Sequence, residues 1–218
     1  IPASGMDYKG YNIAVHEFGH SVEQVLDMYF IDHYMLSGVP NTAYTEASAF
    51  LWQHRDLQLL PGAKMGNGIN DPNEVLDQFW SMFEIMGVSL VDMSMWQWIY
   101  AHPKANAKEL CEATLSIAKA IWNQYYEPVL GEHDCILLAV YSHMVNAPMY
   151  LPNYPLGHIV QYQLEEQLAQ YSNPQDFAQE YSRIYRLGRL TPKQWMIQAV
   201  GEAPSIEPIL RAVDAYKQ

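Results

Sequence analysis

His16 and His20 stand four residues apart, and Glu17 directly follows the first, in the stretch AVHEFGHSVEQV at 14–25. On a helix, residues i and i+4 share a face, so both imidazoles can address one cation. Glu17 lies about 100° round the helix from His16. It is badly placed to be a third ligand, but it can reach a water bound to the same ion. This H-E-x-x-H spacing suits metal-assisted hydrolysis, with two zinc ligands and a general base on one helix. Zinc in such a site needs a third protein ligand and an open position for water. The competing reading is an amphipathic surface helix that happens to carry histidines.

Two features sharpen the metal reading. Gly19 has no side chain, so another element can approach the helix closely at the motif. A second acidic segment, SGVPNTAYTEASAF at 37–50, follows with Glu46 twenty-six positions after His20. That distance allows the first helix to end, the chain to turn around Gly38-Val39-Pro40, and a return helix to deliver a carboxylate. Glu23, Asp27 and Asp32 are the other nearby acids. Glu23 follows His16 by seven residues and could share its face and ligate in place of Glu46, but it is too near His20 to come from a separate supporting helix. Glu46 is the preferred third ligand.

The elements that must position these groups read as helical almost throughout. Periodicity predicts helices at 8–30, 45–59, 72–84, 88–101, 105–127, 133–146, 154–171, 174–187, 191–200 and 205–217. Asp71-Pro72, Asn173-Pro174 and Thr191-Pro192 each place a polar cap before a proline at the first helical position. Gly131, Gly188 and Gly201 sit where helix stops are expected. Residues 61–71, PGAKMGNGIND, read as an exposed Gly-rich loop. No alternating strand pattern stands out. The fold class predicted is all-α, a single helical domain over 1–218.

Composition narrows the function classes. Half of the 218 residues are hydrophobic and 17% are charged, as in an ordered globular chain. The net charge of −12 argues against a nucleic-acid partner, whose affinity rests on Lys and Arg. No apolar run nears the roughly 18 residues of a membrane span. Cys111 and Cys135 fall in apolar helical patterns and read as buried free thiols. The opening IPASGMDYKGYNIAV has no initiator Met and no signal pattern. It predicts a fragment or a processed chain whose upstream part is missing.

The two motif blocks, HEFGH at 16–20 and SGVPNTAYTEASAF at 37–50, resemble the thimet oligopeptidase and oligoendopeptidase F family of zinc peptidases, gluzincins related to angiotensin-converting enzyme. The resemblance implies that His16, His20 and Glu46 hold Zn²⁺ and that Glu17 activates the water. A later stretch, NYPLGHIVQYQLEEQL at 153–168, is similar to the late helix of that family. There Tyr154 takes the place of the tyrosine that stabilises the oxyanion. His143 lies near the position of an upstream histidine that binds substrate or the oxyanion in the converting enzyme, while the thimet-type position is Met149. The chain departs from the family in Gln53, where a glutamate is common, and in His158 and Gln161, which replace aromatics. The position one turn beyond Glu46, often an acid in related enzymes, is Phe50. A backbone carbonyl, Gln53 or a distant acid must therefore orient the zinc histidines. The family's enzymes are longer, and their upstream helices form the opposite wall of the channel.

The expected activity is hydrolysis of short peptides. Glu17 takes a proton from the activated water and returns it to the leaving amine, with Tyr154 and His143 at the oxyanion. His158, one turn after Tyr154, is expected either to line the cleft and bind substrate or to pack as a half-buried histidine. His33, His54, His102 and His133 read as surface residues, and Glu165-Glu166 as a solvated face. The alternative function is a non-catalytic zinc-bearing helical module that binds peptides or a partner. Retention of Glu17 beside the ligands favours the enzyme, because a purely structural zinc site takes a fourth ligand instead of a base.

Overall fold

The computed structural model describes residues 5–62 and 71–216. The expected Gly-rich loop at 61–71 falls mostly outside these residues. Among them 72% are helical and none forms a strand, so the protein is all-α. No helix among them is long and apolar enough to cross a membrane. The chain divides into two compact units, 5–79 with 156–216, and 80–155.

The first unit opens with α1 (Tyr8–Tyr29), whose N-cap Asp7 accepts a hydrogen bond from the Gly10 amide. A 3₁₀ turn at Tyr34–Leu36 leads to α2 (Thr42–Gln53), capped by Asn41 through the Ala43 amide. Residues 46 to 51 of α2 are all buried, so this short helix is enclosed on every side. Ala43, Tyr44, Ala47 and Leu51 join it to a core with Val160, Leu164 and Leu168 of α7 (Asn153–Leu168). Phe177, Tyr181, Ile184 and Tyr185 of α8 (Pro174–Tyr185) complete that core, with Trp195, Met196 and Ala199 of α9 (Pro192–Val200). The Asn173-Pro174 and Thr191-Pro192 caps form as expected, each side chain accepting from an amide of the first turn. Gly201 stops α9 in the left-handed conformation, φ +87°. The final helix α10 is Glu207–Ala215.

The second unit is built on α3 (Pro72–Ala101), which enters it at Trp80, and on α4 (Ala107–Tyr125). Val88, Val91 and Met95 of α3 pack with Ala118 and Trp122 of α4 and with Tyr126, Leu138, Met144 and Leu151. Short helices follow at α5 (Glu127–Leu130) and α6 (His143–Asn146).

Two expected helix boundaries are corrected. Helices predicted at 72–84 and 88–101 are one continuous helix. Gly87 interrupts nothing. It makes room for the Tyr126 ring, which would lie 2.4 Å from a Cβ there, and the Gly87 amide donates to the Tyr126 hydroxyl at 2.7 Å. The helix predicted at 133–146 is instead a 3₁₀ turn at Leu137–Ala139 and the four residues of α6. Its apolar residues serve a coil: Leu138 and Met144 are buried, while Leu137, Val140 and Val145 are exposed.

Candidate metal centre

α1 and α2 pack so closely at the motif that a Cβ on Gly19 would lie 2.8 Å from the Ala49 Cα and 3.1 Å from the Trp52 Cβ. The Ser48 hydroxyl donates to the Gly19 carbonyl at 3.1 Å and shares a 2.6 Å hydrogen bond with the Tyr181 hydroxyl. On its other side, Gly157 of α7 brings its main chain against Glu46: a Cβ on it would lie 2.9 Å from the Glu46 Cβ.

This packing brings together the three residues expected to ligate. His16, His20 and Glu46 each offer a donor atom, and the three atoms lie within 4.8 Å of one another. The Glu46 carboxylate, 1% exposed, stands 3.5 Å from His16 Nε2 and 3.9 Å from His20 Nε2. Tetrahedral zinc with bonds of about 2.0–2.1 Å spaces its ligand atoms about 3.3 Å apart. Two imidazole nitrogens and one carboxylate oxygen at these separations fit a zinc ion with small side-chain shifts. Glu23 is not in the group.

The far side of each imidazole is also occupied. His16 Nδ1 lies 2.9 Å from Gln53 Oε1, and His20 Nδ1 lies 3.1 Å from Thr45 Oγ1. Gln53, one of the options left open by the sequence, is therefore the orienting partner of His16. Thr45 was missed, although its place directly before Glu46 turns it from the glutamate toward α1.

The two histidines are shifted in opposite directions. Burial pulls the His16 imidazole down, but hydrogen bonds to Glu46 and Gln53 outweigh it and the net shift is upward. His20 is shifted downward, by burial first and by the neighbouring His16, against the attraction of Glu46. Glu17 is exposed on α1 beside them, close enough for its charge to favour the protonated form of both rings. Behind Thr45, Glu23 is buried and pushed up to about 8, chiefly by desolvation and then by Asp27.

His158 is buried, with its ring stacked on Phe50, and burial pulls its pKa down to about 3. It is a neutral ring within the packed wall behind His16. His143 and Tyr154 belong to the second unit. Their ring centroids are 6.2 Å apart and both lie against Tyr150.

Other expectations are corrected. His54 is half-buried and its Nδ1 accepts from Gln161 Nε2 at 3.1 Å, whereas His33, His102 and His133 are exposed as expected. Glu165 is no solvated residue. It is buried in a bidentate ion pair with Arg55, whose guanidinium also lies over the Phe177 ring. Both cysteines are free, but Cys111 is exposed and Cys135 only half-buried. Cys111 lies on the outer side of α4, and Cys135 sits in the coil before the 3₁₀ turn, packed at the edge of the second unit's core.

A comparison with protein-family models found no match to this chain, and none of the curated proteins it was compared with is similar to it.

Proposed function

We propose that this chain is a zinc-dependent peptidase acting on short peptides, of the kind represented by the thimet oligopeptidase and oligoendopeptidase F family. The observation that carries this reading is the convergence of His16 Nε2, His20 Nε2 and a Glu46 oxygen from two helices, with the exposed carboxylate of Glu17 beside them. A zinc ion held by those three residues supplies Lewis acidity, lowering the pKa of a water from 15.7 to about 7 and polarising the peptide carbonyl.

The chain's own residues do the rest. Gln53 and Thr45 hold the imidazole rings in place. Glu17, one residue beyond the first ligand, accepts a proton from the attacking water and delivers it to the leaving amine nitrogen. The resemblance assigns oxyanion stabilisation to Tyr154 and His143. Among the described residues the candidate set has three protein donors, which suits a catalytic centre with a vacant position better than a closed structural one.

The test is hydrolysis of quenched fluorescent peptides by the purified chain, alongside its zinc content. Cleavage that stops with a chelator and returns with added zinc supports the reading. A chain that binds zinc but cleaves no peptide supports a non-catalytic peptide- or partner-binding module. A chain that binds no zinc overturns both.

A further inference from the structure

Two lines of hydrogen bonds lead away from the donor cluster, and each ends on a buried carboxyl group. On one side, His16 Nδ1 meets Gln53 Oε1 at 2.9 Å, Gln53 Nε2 donates to Asn12 Oδ1 at 2.6 Å, and Asn12 Nδ2 donates to Asp56 Oδ2 at 2.8 Å. On the other, His20 Nδ1 meets Thr45 Oγ1 at 3.1 Å, and the Thr45 hydroxyl donates to Glu23 Oε2. Asp56 is 4% exposed and Glu23 1%.

The direction of these lines decides which imidazole nitrogen carries hydrogen. A side-chain amide can be turned over with almost no change of shape, so Gln53 and Asn12 impose no direction by themselves. A carboxylate does, because it can only accept. The Asp56 carboxylate collects the Asn12 amide and the Leu57 backbone amide, both of them donors. With its NH₂ held by Asp56, Asn12 must offer its oxygen to Gln53. Gln53 then spends its NH₂ on Asn12 and faces His16 with its own oxygen. An amide oxygen only accepts, so the neutral His16 ring carries its hydrogen on Nδ1; the hydrogen bond to Glu46 needs a second hydrogen on Nε2 and belongs to the protonated ring. Along the second line, Thr45 has one hydroxyl hydrogen and gives it to Glu23 Oε2, while any proton that Glu23 holds is directed to Asp27. The Thr45 oxygen is left to accept from His20 Nδ1–H, and Nε2 of the neutral His20 ring carries no hydrogen.

We propose that Asp56 and Glu23 are positioning residues that set the direction of these two lines and so hold His16 and His20 as the Nδ1–H tautomers able to ligate a cation through Nε2. The proposal rests on the zinc reading of the cluster for its purpose, but its structural content can be tested without any metal. Asp56 acts across two intervening side chains, and Asn12, Gln53 and Asp56 come from α1, α2 and the turn that follows α2.

Long-range proton–nitrogen correlation spectra of the metal-free chain, recorded at alkaline pH with labelled histidine, report each tautomer directly. Both rings are expected as Nδ1–H. Asp56→Asn keeps the shape but can also donate, so His16 is expected to become a mixture of tautomers while His20 is unchanged. Thr45→Val is expected to release His20 alone, and Thr45→Ser to restore it. Zinc affinity by chelator competition is expected to fall about 10–100-fold in Asp56→Asn and Thr45→Val, and to stay near the parent value in Thr45→Ser. Unchanged tautomers in both variants, or unchanged zinc affinity, overturn the proposal. Should Asp56→Asn fail to fold, Asn12→Leu, which cuts the same line, decides it for His16, and the Thr45 pair decides it for His20. A parent chain with both Nδ1–H rings but no zinc affinity would end the peptidase reading and leave these lines intact. Normal zinc binding and cleavage with tautomers indifferent to the variants would do the reverse.

Discussion

Phe50 and His158 stack face to face, ring centroids 3.9 Å apart and planes within 9° of parallel. Phe50 also touches His16, at 5.3 Å between centroids. One aromatic ring therefore separates a histidine of the donor cluster from a histidine that is buried and neutral. The two face very different surroundings, although sequence presents both only as histidines in helical segments.

That burial has a consequence for acid stability. The pKa of His158 is pulled down to about 3 by desolvation, against 6.5 for an ordinary histidine. Its folded-state pKa is depressed, so the unfolded chain binds the extra proton first as pH falls. Stability attached to this group is fully present above about 6.5 and is lost progressively toward pH 3. His158→Phe keeps the stack and removes the proton site. Urea unfolding across this range is expected to show a shallower acid loss in the variant, by on the order of a few kcal/mol at the acid end. Parallel curves for the two proteins would mean that His158 does not stay neutral when folded.

Glu17 gives the sharpest separation of binding from turnover. It is exposed and belongs to none of the donor pairs around Glu46. In Glu17→Gln, peptide cleavage is expected to fall by roughly 10²–10⁴-fold, with zinc content at the parent level. Metal analysis beside initial rates checks both halves. A variant that cleaves at the parent rate would falsify the assignment of Glu17 as the base.

Gly19→Ala reverses the usual sign of its substitution. In an ordinary helix interior, alanine is favoured over glycine by about 1 kcal/mol. Here the new Cβ would sit 2.8 Å from the Ala49 Cα, which is main chain and cannot rotate aside. Overpacking of this kind costs about 1–3 kcal/mol, so a net loss of stability is expected, together with weaker zinc binding as α2 is pushed back. Thermal unfolding and chelator competition on one preparation measure both. A more stable variant would show that the two helices do not meet this closely.

Arg55 and Glu165 form a buried bidentate pair, with side chains 14% and 4% exposed. Arg55→Met strands the Glu165 carboxylate in the core and is expected to cost about 3–5 kcal/mol, whereas Arg55→Met with Glu165→Leu recovers most of it. Denaturant unfolding of the single and double variants reads the difference. Equal losses in both would mean that packing around Arg55, over Phe177, matters more than its charge.

The parts of this site legible in sequence are those that obey short-range rules. His16 and His20 are one helical turn apart, and Glu46 begins to make sense once a turn at Gly38-Val39-Pro40 separates two helices. Asn173 and Thr191 announced helix starts because a cap and a following proline act within one turn. What escaped depends on partners distant along the chain. Glu165 looks solvated beside Glu166 until Arg55, from another segment, reaches it. Asn12 and Asp56 have no local signature, and neither means anything until α1 and the end of α2 lie side by side. The break expected between 84 and 88 is absent, because the Tyr126 ring that Gly87 makes room for comes from 39 positions away. Periodicity over 133–146 counted apolar residues that bury singly from an irregular chain instead of along one stripe.

The glutamate-bearing helix is gripped through bare backbone on two flanks, at Gly19 and at Gly157. Neither grip uses long side chains that could splay when an ion departs. If the cluster holds an ion as proposed, its seat is therefore moulded before the cation arrives, and little ordering remains to be done on capture. Demetallation should accordingly be gentle and repeatable: the emptied protein keeps its helical circular dichroism and refills without refolding.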